Sequence, residues 1–469
     1  MTDRSHYLVM NAATVQPTPF LPPVRVRGLP LLGSLLEFRN DRIGLLLRIA
    51  REHGEVARMR MGFFPLLVLT CPEGAHEVLV EKADSFKKSH GLTIFARPIL
   101  GDGLLTSEQN VHKRQRRMMA PVFAHKRIAS YGEVMVDKTE VSAERLAVSA
   151  ESGETVDLAE EMMRLTLDIV GKTLFDAEMA GHAAPIGDAL TFAMRQMMSS
   201  LVRLVPMPPA VPTPGNLRLR EAVRSLDKIV YTMIRERRVS GHDPGDMLSM
   251  LLATRDADDG SALTDVEVRD QAMTIMLAGH ETTANALAWT FYLLARHPEQ
   301  RARLEAELDA VLGSRRATTA DLKSLPYTLQ VFKEAMRLYP PAYMIARRAR
   351  REVSVRGATL KAGQIALINV SGMHRRPEAF PNPNAFDPER FAGDREKQLP
   401  PLAYLPFGGG TRVCIGNQFA LMEGHLLLAT LARRFRFELT GAAASREIEP
   451  EPLVTLRPKG GVPVKVLAR

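Results

Sequence analysis

The stretch FGGGTRVCIG, at 407–416, places Cys414 among glycines, just before an amphipathic helical pattern. A helix N-terminus lowers the pKa of a thiol and offers backbone N–H groups to a thiolate. A single cysteine cannot build a tetrahedral zinc site, and the chain has no CxxC pair. A thiolate without companion ligands fits a metal held by a macrocycle, which is haem with an axial cysteine. On this stretch alone, a spare thiol in a glycine-rich turn stays open, whereas Cys71 is interpreted as a structural residue.

A long apolar pattern ahead of this loop predicts one central helix. Residues 264–297 open with a capping box of Thr264 and Glu267 and end at Pro298. At 1.5 Å per residue, such a helix is about 50 Å long. Its middle is apolar on every side, so we expect this helix to be buried in the fold.

The middle of this helix carries the polar sequence AGHETT, at 278–283. A glycine within a helix costs about 1 kcal/mol relative to alanine, and a buried glutamate must be paired or hydrated. One interpretation is a polar group satisfied by neighbouring helices. The other is a site, in which Gly279 lets a ligand approach while Glu281 and Thr282 offer it an acid and a hydroxyl.

A possible buried ion network precedes the cysteine loop. In VFKEAMRLYP, Glu334 and Arg337 lie three residues apart on one predicted helix face, flanked by apolar residues. Arg390 follows in FDPERF, where prolines predict a turn. Two arginines on one glutamate would brace the chain ahead of Cys414, although such a network is costly unless complete. The spacing alone leaves open whether the three side chains meet.

Together these segments resemble the cytochrome P450 monooxygenases over roughly residues 25–469. FGGGTRVCIG matches the haem-ligand signature F-x-x-G-x-R-x-C-x-G at every fixed position, AGHETT is similar to the oxygen-activation segment, EAMR to the ExxR pair and FDPERF to the meander arginine. The resemblance implies a single-domain cytochrome P450 fold, mainly α with a minor β part, with haem between the central helix and the cysteine loop. Residues 1–24 are expected to be an extended segment, and the β-rich lobe to cover about 50–75 and 340–375.

The resemblance also implies a cofactor, haem b, and a role for each matching position. Cys414 is then the axial ligand of the haem iron. Thr282 hydrogen-bonds dioxygen, and Glu281 helps to relay protons from water. Phe407 packs beside the sulfur. The implied structural triad consists of Glu334, Arg337 and Arg390, and the other implied haem-side positions are Gly410, Arg412, Gly416, His112, Arg116, Arg347, Ala278 and Gly279.

Two of these haem-side assignments carry an alternative. Many members of the family have tryptophan where His112 stands, and a histidine in this basic run could instead be an exposed helical residue. Arg347 falls in the strand that usually supplies a propionate contact, but Arg348 is adjacent and could take that place. Ala278 and Gly279 are expected to leave room for oxygen beside the ring.

Composition limits the remaining function classes. The 469 residues carry a formal charge of +9, but the basic clusters are scattered and lack interleaved aromatics, so nucleic acid is not expected. Two cysteines exclude a disulfide framework. No apolar run is long enough for a signal peptide or a membrane span. By resemblance to the soluble bacterial members, we expect a cytoplasmic monomer.

The resemblance implies insertion of one atom of dioxygen into a hydrophobic small molecule. The expected pocket walls, mostly apolar, are 92–107, Met194, Met197, Met198, 340–346 and 452–456. The chain continues only about 50 residues past Cys414, so electrons are expected from a separate ferredoxin or flavodoxin and its NAD(P)H reductase. The arginines expected to meet that acidic partner, unless they are simply a solvated surface, are Arg433, Arg434, Arg436, Arg114 and Arg117.

Two other functions share this haem-thiolate fold. A peroxide-driven or rearranging enzyme needs no external electrons, but such family members usually alter the acid–threonine segment, which is intact here at Glu281 and Thr282. A haem-thiolate sensor or ligand carrier would not need Thr282. Reduction under carbon monoxide tests the axial thiolate, since only thiolate-ligated haem gives the strong red shift of the Soret band.

Overall fold

The computed structural model describes residues 22–177, 183–201, 208–256, 258 and 260–469. Nearly all of the predicted N-terminal segment, 1–24, lies outside these residues. The α-helices are, in chain order, α1 Leu35–Asn40, α2 Arg42–Glu52, α3 Pro72–His76, α4 Arg97–Leu100, α5 Gln109–Met119, α6 His125–Ser152, α7 Leu158–Phe175, α8 Ala183–Leu201, α9 Pro214–Ser240, α10 Met247–Ala253, α11 Asp265–Arg296, α12 Pro298–Val311, α13 Pro326–Leu338, α14 Val370–Met373, α15 Arg395–Gln398, α16 Asn417–Arg434 and α17 Ala442–Ser445.

The strands are shorter and concentrate at the two ends of the chain. In chain order they are β1 Val24–Arg25, β2 Val56–Met61, β3 Phe64–Leu69, β4 Phe86–Lys88, β5 Thr155–Asp157, β6 Ile345–Ala349, β7 Val353–Val355, β8 Ala358–Leu360, β9 Ile365–Ile368, β10 Phe435–Leu439, β11 Pro450–Pro452, β12 Leu456–Pro458 and β13 Pro463–Ala468. The fold is therefore mainly α with a smaller β part, as predicted.

Helix α11 confirms the predicted central helix. The Thr264 hydroxyl accepts from the Glu267 N–H, and the Glu267 carboxylate accepts from the Thr264 N–H, which completes the capping box. Most of the helix is buried, against α7, α9, α13 and α16. Trp289 is anchored by stacking on Tyr339, with ring centroids 3.8 Å apart, and by an indole N–H bond to the Leu456 carbonyl. The helix thus forms a fixed wall through the core.

The larger sheet joins two distant parts of the chain. Its strand order is β1-β2-β3-β9-β6-β4. β2 and β3 form an antiparallel hairpin, which turns at Gly62 with a φ of +59°. Strand β9 adds parallel to β3, and β6 lies antiparallel between β9 and β4. This arrangement places the residues of β4 beside those of β6. Both strands contribute side chains to the site described below.

Candidate active site

The loop before α16 holds Cys414 in a fixed position. The Cys414 N–H donates to the Phe407 carbonyl at 2.9 Å. Gly410 has a φ of +67°, and a Cβ there would lie 1.9 Å from the Leu79 carbonyl oxygen, so only glycine fits. Burial raises the pKa of the Cys414 thiol although the Gly416 N–H opposes this, yet the side chain is exposed. Protein atoms therefore pack around the Cys414 sulfur, but the residue stays accessible to solvent.

One face of α11 is also uncovered, in the middle of an otherwise buried helix. Ala278 is exposed and Thr282, one turn later, is partly exposed, whereas Glu281 between them is buried. The Thr282 hydroxyl donates to the Ala278 carbonyl at 2.7 Å. A Cβ on Gly279 would lie 3.0 Å from Val170 of α7. Gly279 therefore allows α11 and α7 to pack closely. This geometry does not by itself indicate room for oxygen beside the haem ring.

A cluster of basic side chains lies close to the cysteine loop, and cations outnumber acids in it. Lys88 on β4 and Arg347 on β6 are cross-strand partners. The pKa of Lys88 is well below its usual value, because the side chain is buried and because Arg347 and Arg412 repel its charge. Its ammonium has no hydrogen bond or ion pair within the described chain. Burial and Arg412 also lower the pKa of Arg347 to about 10, and Glu108 is the only acid that opposes this.

The other residues expected to contact the propionates lie near this cluster. His112 is buried, so it is not an exposed helical residue, and burial together with nearby cations lowers its pKa to about 3. Arg116 donates to the Val413 carbonyl at 2.8 Å, next to the cysteine. Arg348 contacts His90 and lies on the strand face opposite to that of its neighbour, since side chains alternate along a strand. Arg347, not Arg348, therefore belongs to the cation cluster.

Glu281 sits in a buried network that the sequence did not reveal. Its carboxylate accepts from Arg457 Nε at 2.8 Å and from the Thr455 hydroxyl at 2.6 Å. The Thr455 hydroxyl in turn accepts from Asn285, and Arg457 reaches the Thr191 hydroxyl on α8 at 3.4 Å. Glu281 and Arg457 are separated by 176 residues, so no local pattern predicts the pair. The acid expected to relay protons is therefore held by a guanidinium.

The structure brings the three residues of the predicted ion network together. Arg337 donates through Nε and Nη2 to the two oxygens of Glu334, at 2.6 and 2.7 Å, and both side chains are fully buried. Arg390 approaches the same carboxylate at 3.3 Å. Arg337 also donates to three backbone carbonyls of the segment that follows. The network ties that segment to α13, as a structural and not a catalytic element.

The arginines expected to meet a redox partner each have an acidic partner within the fold. Their partners are Asp256 and Glu267 for Arg114, Asp256 and Asp258 for Arg117, Glu140 for Arg433, Glu140 and Glu144 for Arg434, and Glu305 for Arg436. The contact of these arginines with a redox partner stays a prediction.

The family follows from comparison with known proteins. The family model described as Cytochrome P450 matches residues 22–464. Cyclooctatin synthase from Streptomyces melanosporofaciens is 37% identical over 431 residues, 92% of each chain. Cyclooctat-9-en-7-ol 5-monooxygenase from the same organism is 38% identical over 87% of this chain and 88% of its own. Pentalenene oxygenase from Streptomyces avermitilis is 34% identical over 92% and 93%. This chain belongs to the cytochrome P450 family.

The protein is accordingly a haem-dependent monooxygenase, and its own residues fit the cofactor. The Cys414 side chain is accessible to solvent, and so is the central helix at Ala278. The uncompensated charges of Lys88 and Arg347 suit the two carboxylates of a haem. Lys88 was missed because a lone lysine in a short strand carries no motif. No described helix is long and apolar enough to cross a membrane.

The expected substrate walls are mostly buried apolar side chains. Met194 and Met197 of α8 pack into the main core, whereas Met198 packs with Leu453 and Tyr343 in a second cluster. Helix α8 therefore bridges two of the expected walls. A surface cavity of about 460 Å³ lies between Pro98 and α9, and its lining includes neither the cysteine nor the threonine of the site.

Proposed function

We propose that this monooxygenase hydroxylates a terpenoid, using electrons from a separate ferredoxin or flavodoxin. The observation that carries the proposal is the uncovered face at Ala278 and Thr282, which lies within an apolar, methionine-rich core. Methionine adapts to irregular apolar shapes. Arg457, which reaches the Thr191 hydroxyl on α8, is paired with Glu281. The names of three bacterial relatives, each above 30% identity, support the same substrate class.

In this proposal, the side chains of the site have separate roles. When bound, haem b supplies the binding and cleavage of dioxygen. Cys414 would hold the iron, and the buried cations Lys88 and Arg347, with Arg412 and His112, would hold the propionates. The Thr282 hydroxyl is kept at the uncovered face by its bond to the Ala278 carbonyl, where it would hold a proton at Oγ1 and position water.

We place the redox-partner surface at lysines without ion pairs beside the cysteine loop. Phe123, in the turn before α6, lies 3.5 Å from the Cβ position of Gly416 and so beside the cysteine loop. Two residues of this region, Lys113 and Lys126, are exposed, and neither has an ion pair with any described residue. An acidic ferredoxin or flavodoxin would dock there in the cytoplasm, where both cysteines stay reduced.

The test is turnover with a surrogate ferredoxin and NADPH-dependent reductase. Cyclooctat-9-en-7-ol and pentalenene, which appear in the names of the relatives, are the first substrates, followed by a terpene library, with products read by mass spectrometry. We expect a product that is heavier by one oxygen atom and labelled by ¹⁸O₂. A product formed only with hydrogen peroxide would favour the peroxide-driven alternative. Spectral shifts with fatty acids or steroids, but with no terpene, would refute the substrate class.

The partner surface has its own test. Changing Lys113 and Lys126 together to glutamate should weaken reduction by the ferredoxin roughly tenfold or more at low salt and leave the affinity for terpene unchanged. Arg436→Glu, at an arginine already paired with Glu305, is the matched control. Equal losses in both variants would contradict the assignment.

A further inference from the structure

The turn of the β2–β3 hairpin exposes large apolar side chains to solvent. Phe63 is 82% exposed and Phe64 is 59% exposed, and these are the only phenylalanines among the large hydrophobic side chains exposed in the described chain. Leu29 and Leu31, which follow β1, are also exposed. A single hydrophobic residue on a surface is ordinary, but a contiguous group of them marks an interaction site.

The turn after β1 and the hairpin turn are neighbours in space. The Gly62 N–H donates to the Leu32 carbonyl at 2.8 Å, and the Ser34 N–H donates to the Arg60 carbonyl at 2.8 Å. These bonds hold the two turns side by side at one end of the larger sheet. Their exposed side chains therefore form one surface, here called the apolar tip, which consists of Leu29, Leu31, Phe63 and Phe64.

The apolar tip has a cationic border without acids. Four exposed arginines of the same two segments form this border: Arg25, Arg27, Arg58 and Arg60. None of them has an ion pair with a described residue, and Arg25 and Arg58 are cross-strand partners. Neither 22–36 nor 56–70 contains an aspartate or a glutamate. Such a surface suits a ligand that is anionic at its boundary and apolar beneath it.

The inner side of the hairpin packs on the expected substrate walls. Met59 of β2 and Leu66 of β3 are cross-strand partners, and both are buried. Their core cluster also contains three residues of those walls, Met198, Tyr343 and Leu453. A single layer of core side chains therefore joins the apolar tip to the walls of the substrate site.

We propose that the apolar tip and its arginines dock this protein on an anionic membrane surface. The phenylalanines and leucines enter the boundary between headgroups and acyl chains, and the arginines bind lipid phosphates around them. A fluid bilayer adapts to an exposed hairpin turn, whereas a protein partner needs a surface of complementary shape. This peripheral docking needs no membrane-spanning helix.

The docking goes beyond the proposed function and does not depend on it. Apolar molecules leave water for an apolar environment, so a terpenoid concentrates in the bilayer. If the proposed function holds, docking at the apolar tip places the substrate walls close to that supply. If no terpene is oxidised, the proposed function fails, and binding to vesicles still decides the docking.

Sedimentation of the haem-loaded full chain with lipid vesicles tests the docking. We expect binding to vesicles of equal parts phosphatidylglycerol and phosphatidylcholine, and binding weaker by roughly tenfold or more to phosphatidylcholine alone, because each arginine near an anionic surface strengthens binding roughly fivefold. Salt at about 1 M should weaken the binding, since the screening length falls to about 3 Å. If the full chain binds neither kind of vesicle, the proposal is overturned.

A pair of serine variants tests the apolar side chains. Phe63→Ser/Phe64→Ser should weaken binding to the anionic vesicles roughly tenfold or more. Val148→Ser/Val239→Ser is the matched control, because both valines are exposed outside the apolar tip, and it should bind as the wild type does. Equal binding by the two double variants overturns the proposal.

A pair of glutamine variants separates the cationic border from net charge. Arg27→Gln/Arg60→Gln should weaken binding to the anionic vesicles roughly tenfold or more. Arg235→Gln/Arg446→Gln removes the same charge at exposed positions elsewhere and should have little effect. If both double variants lose the same affinity, net charge alone attracts the protein and the assignment of this surface is wrong.

Fluorescence quenching by lipid with brominated acyl chains reports insertion at the apolar tip itself. On anionic vesicles, Phe63→Trp should be quenched and Val239→Trp should not, while the buried Trp289 gives the same background in both. Bound but unquenched Phe63→Trp overturns the proposal. So does a wild-type dimer that binds no vesicle and becomes a monomer in Phe63→Ser/Phe64→Ser, because the apolar tip is then an interface between copies of this chain.

Discussion

Replacing Arg337 with leucine should strongly destabilise the fold. The guanidinium is fully buried and makes two bonds to Glu334 and three to backbone carbonyls. Leucine fills part of the space but supplies no donor. The Glu334 carboxylate would keep only the Asp387 N–H at 2.9 Å and Arg390 at 3.3 Å.

The size of the effect follows from the groups left behind. Removing one partner of a buried ion pair costs about 3–5 kcal/mol, because the other charge stays in the core. Each buried carbonyl that loses its donor adds about 1–3 kcal/mol unless water replaces the bond. With Arg390 still near Glu334, we expect a loss of about 4 kcal/mol or more. That is a large part of the roughly 5–15 kcal/mol that stabilises a typical domain.

Urea unfolding, followed by far-ultraviolet circular dichroism on the haem-loaded protein, measures this loss. Lys397→Met is the matched control, because its ion pair with Asp394 is exposed and should leave the midpoint unchanged. The double variant Glu334→Leu/Arg337→Leu should recover part of the stability, since no unpaired charge remains. A single variant within about 1 kcal/mol of wild type would refute the reasoning.

Three further changes test other parts of the structure. Lys88→Ala should lower haem retention several-fold against a competing apo-globin, whereas Lys87→Ala, on the other face of the same strand, should not. Arg457→Met leaves its buried carboxylate partner unpaired and should lower the free energy of unfolding by about 3–5 kcal/mol, again measured in urea. His374 and His425 are buried and have pKa values of about 3 and about 4. Both values lie below the ordinary 6.5. As the pH falls, these two histidines therefore bind protons in the unfolded chain before they do so in the folded protein. The free energy of unfolding should then fall by about 2.7 kcal/mol per pH unit between 6.5 and about 4, and His374→Gln should reduce that slope.

The parts of the fold that the sequence predicted are those with local signals. The capping box at Thr264 and the apolar run after it predicted α11 because helix caps and periodicity act over a few residues. The FGGGTRVCIG loop was recognisable because the backbone requires its glycines, as at Gly410, where an added Cβ would lie 1.9 Å from the Leu79 carbonyl oxygen.

The rest depends on contacts between distant parts of the chain. Lys88 meets Arg347 only because β4 and β6 pair across more than 250 residues, and short strands leave weak patterns. Each of the arginines assigned to a partner surface pairs with an acid from another part of the chain, as Arg436 does with Glu305. Charge in a sequence therefore predicts the sign of a region, and only the fold decides which charges remain free.

Glu281 and Glu423, two buried acids of the core, differ in what surrounds them. Glu281 faces Arg457 and Thr455, and the guanidinium also reaches Thr191 on α8. Glu423 has no cation beside it, and neither of its carboxyl oxygens has a hydrogen-bond partner among the described residues. The two acids therefore differ in what stabilises them. Only the fold reveals this difference, because the partners of Glu281 lie more than 170 residues away in the sequence.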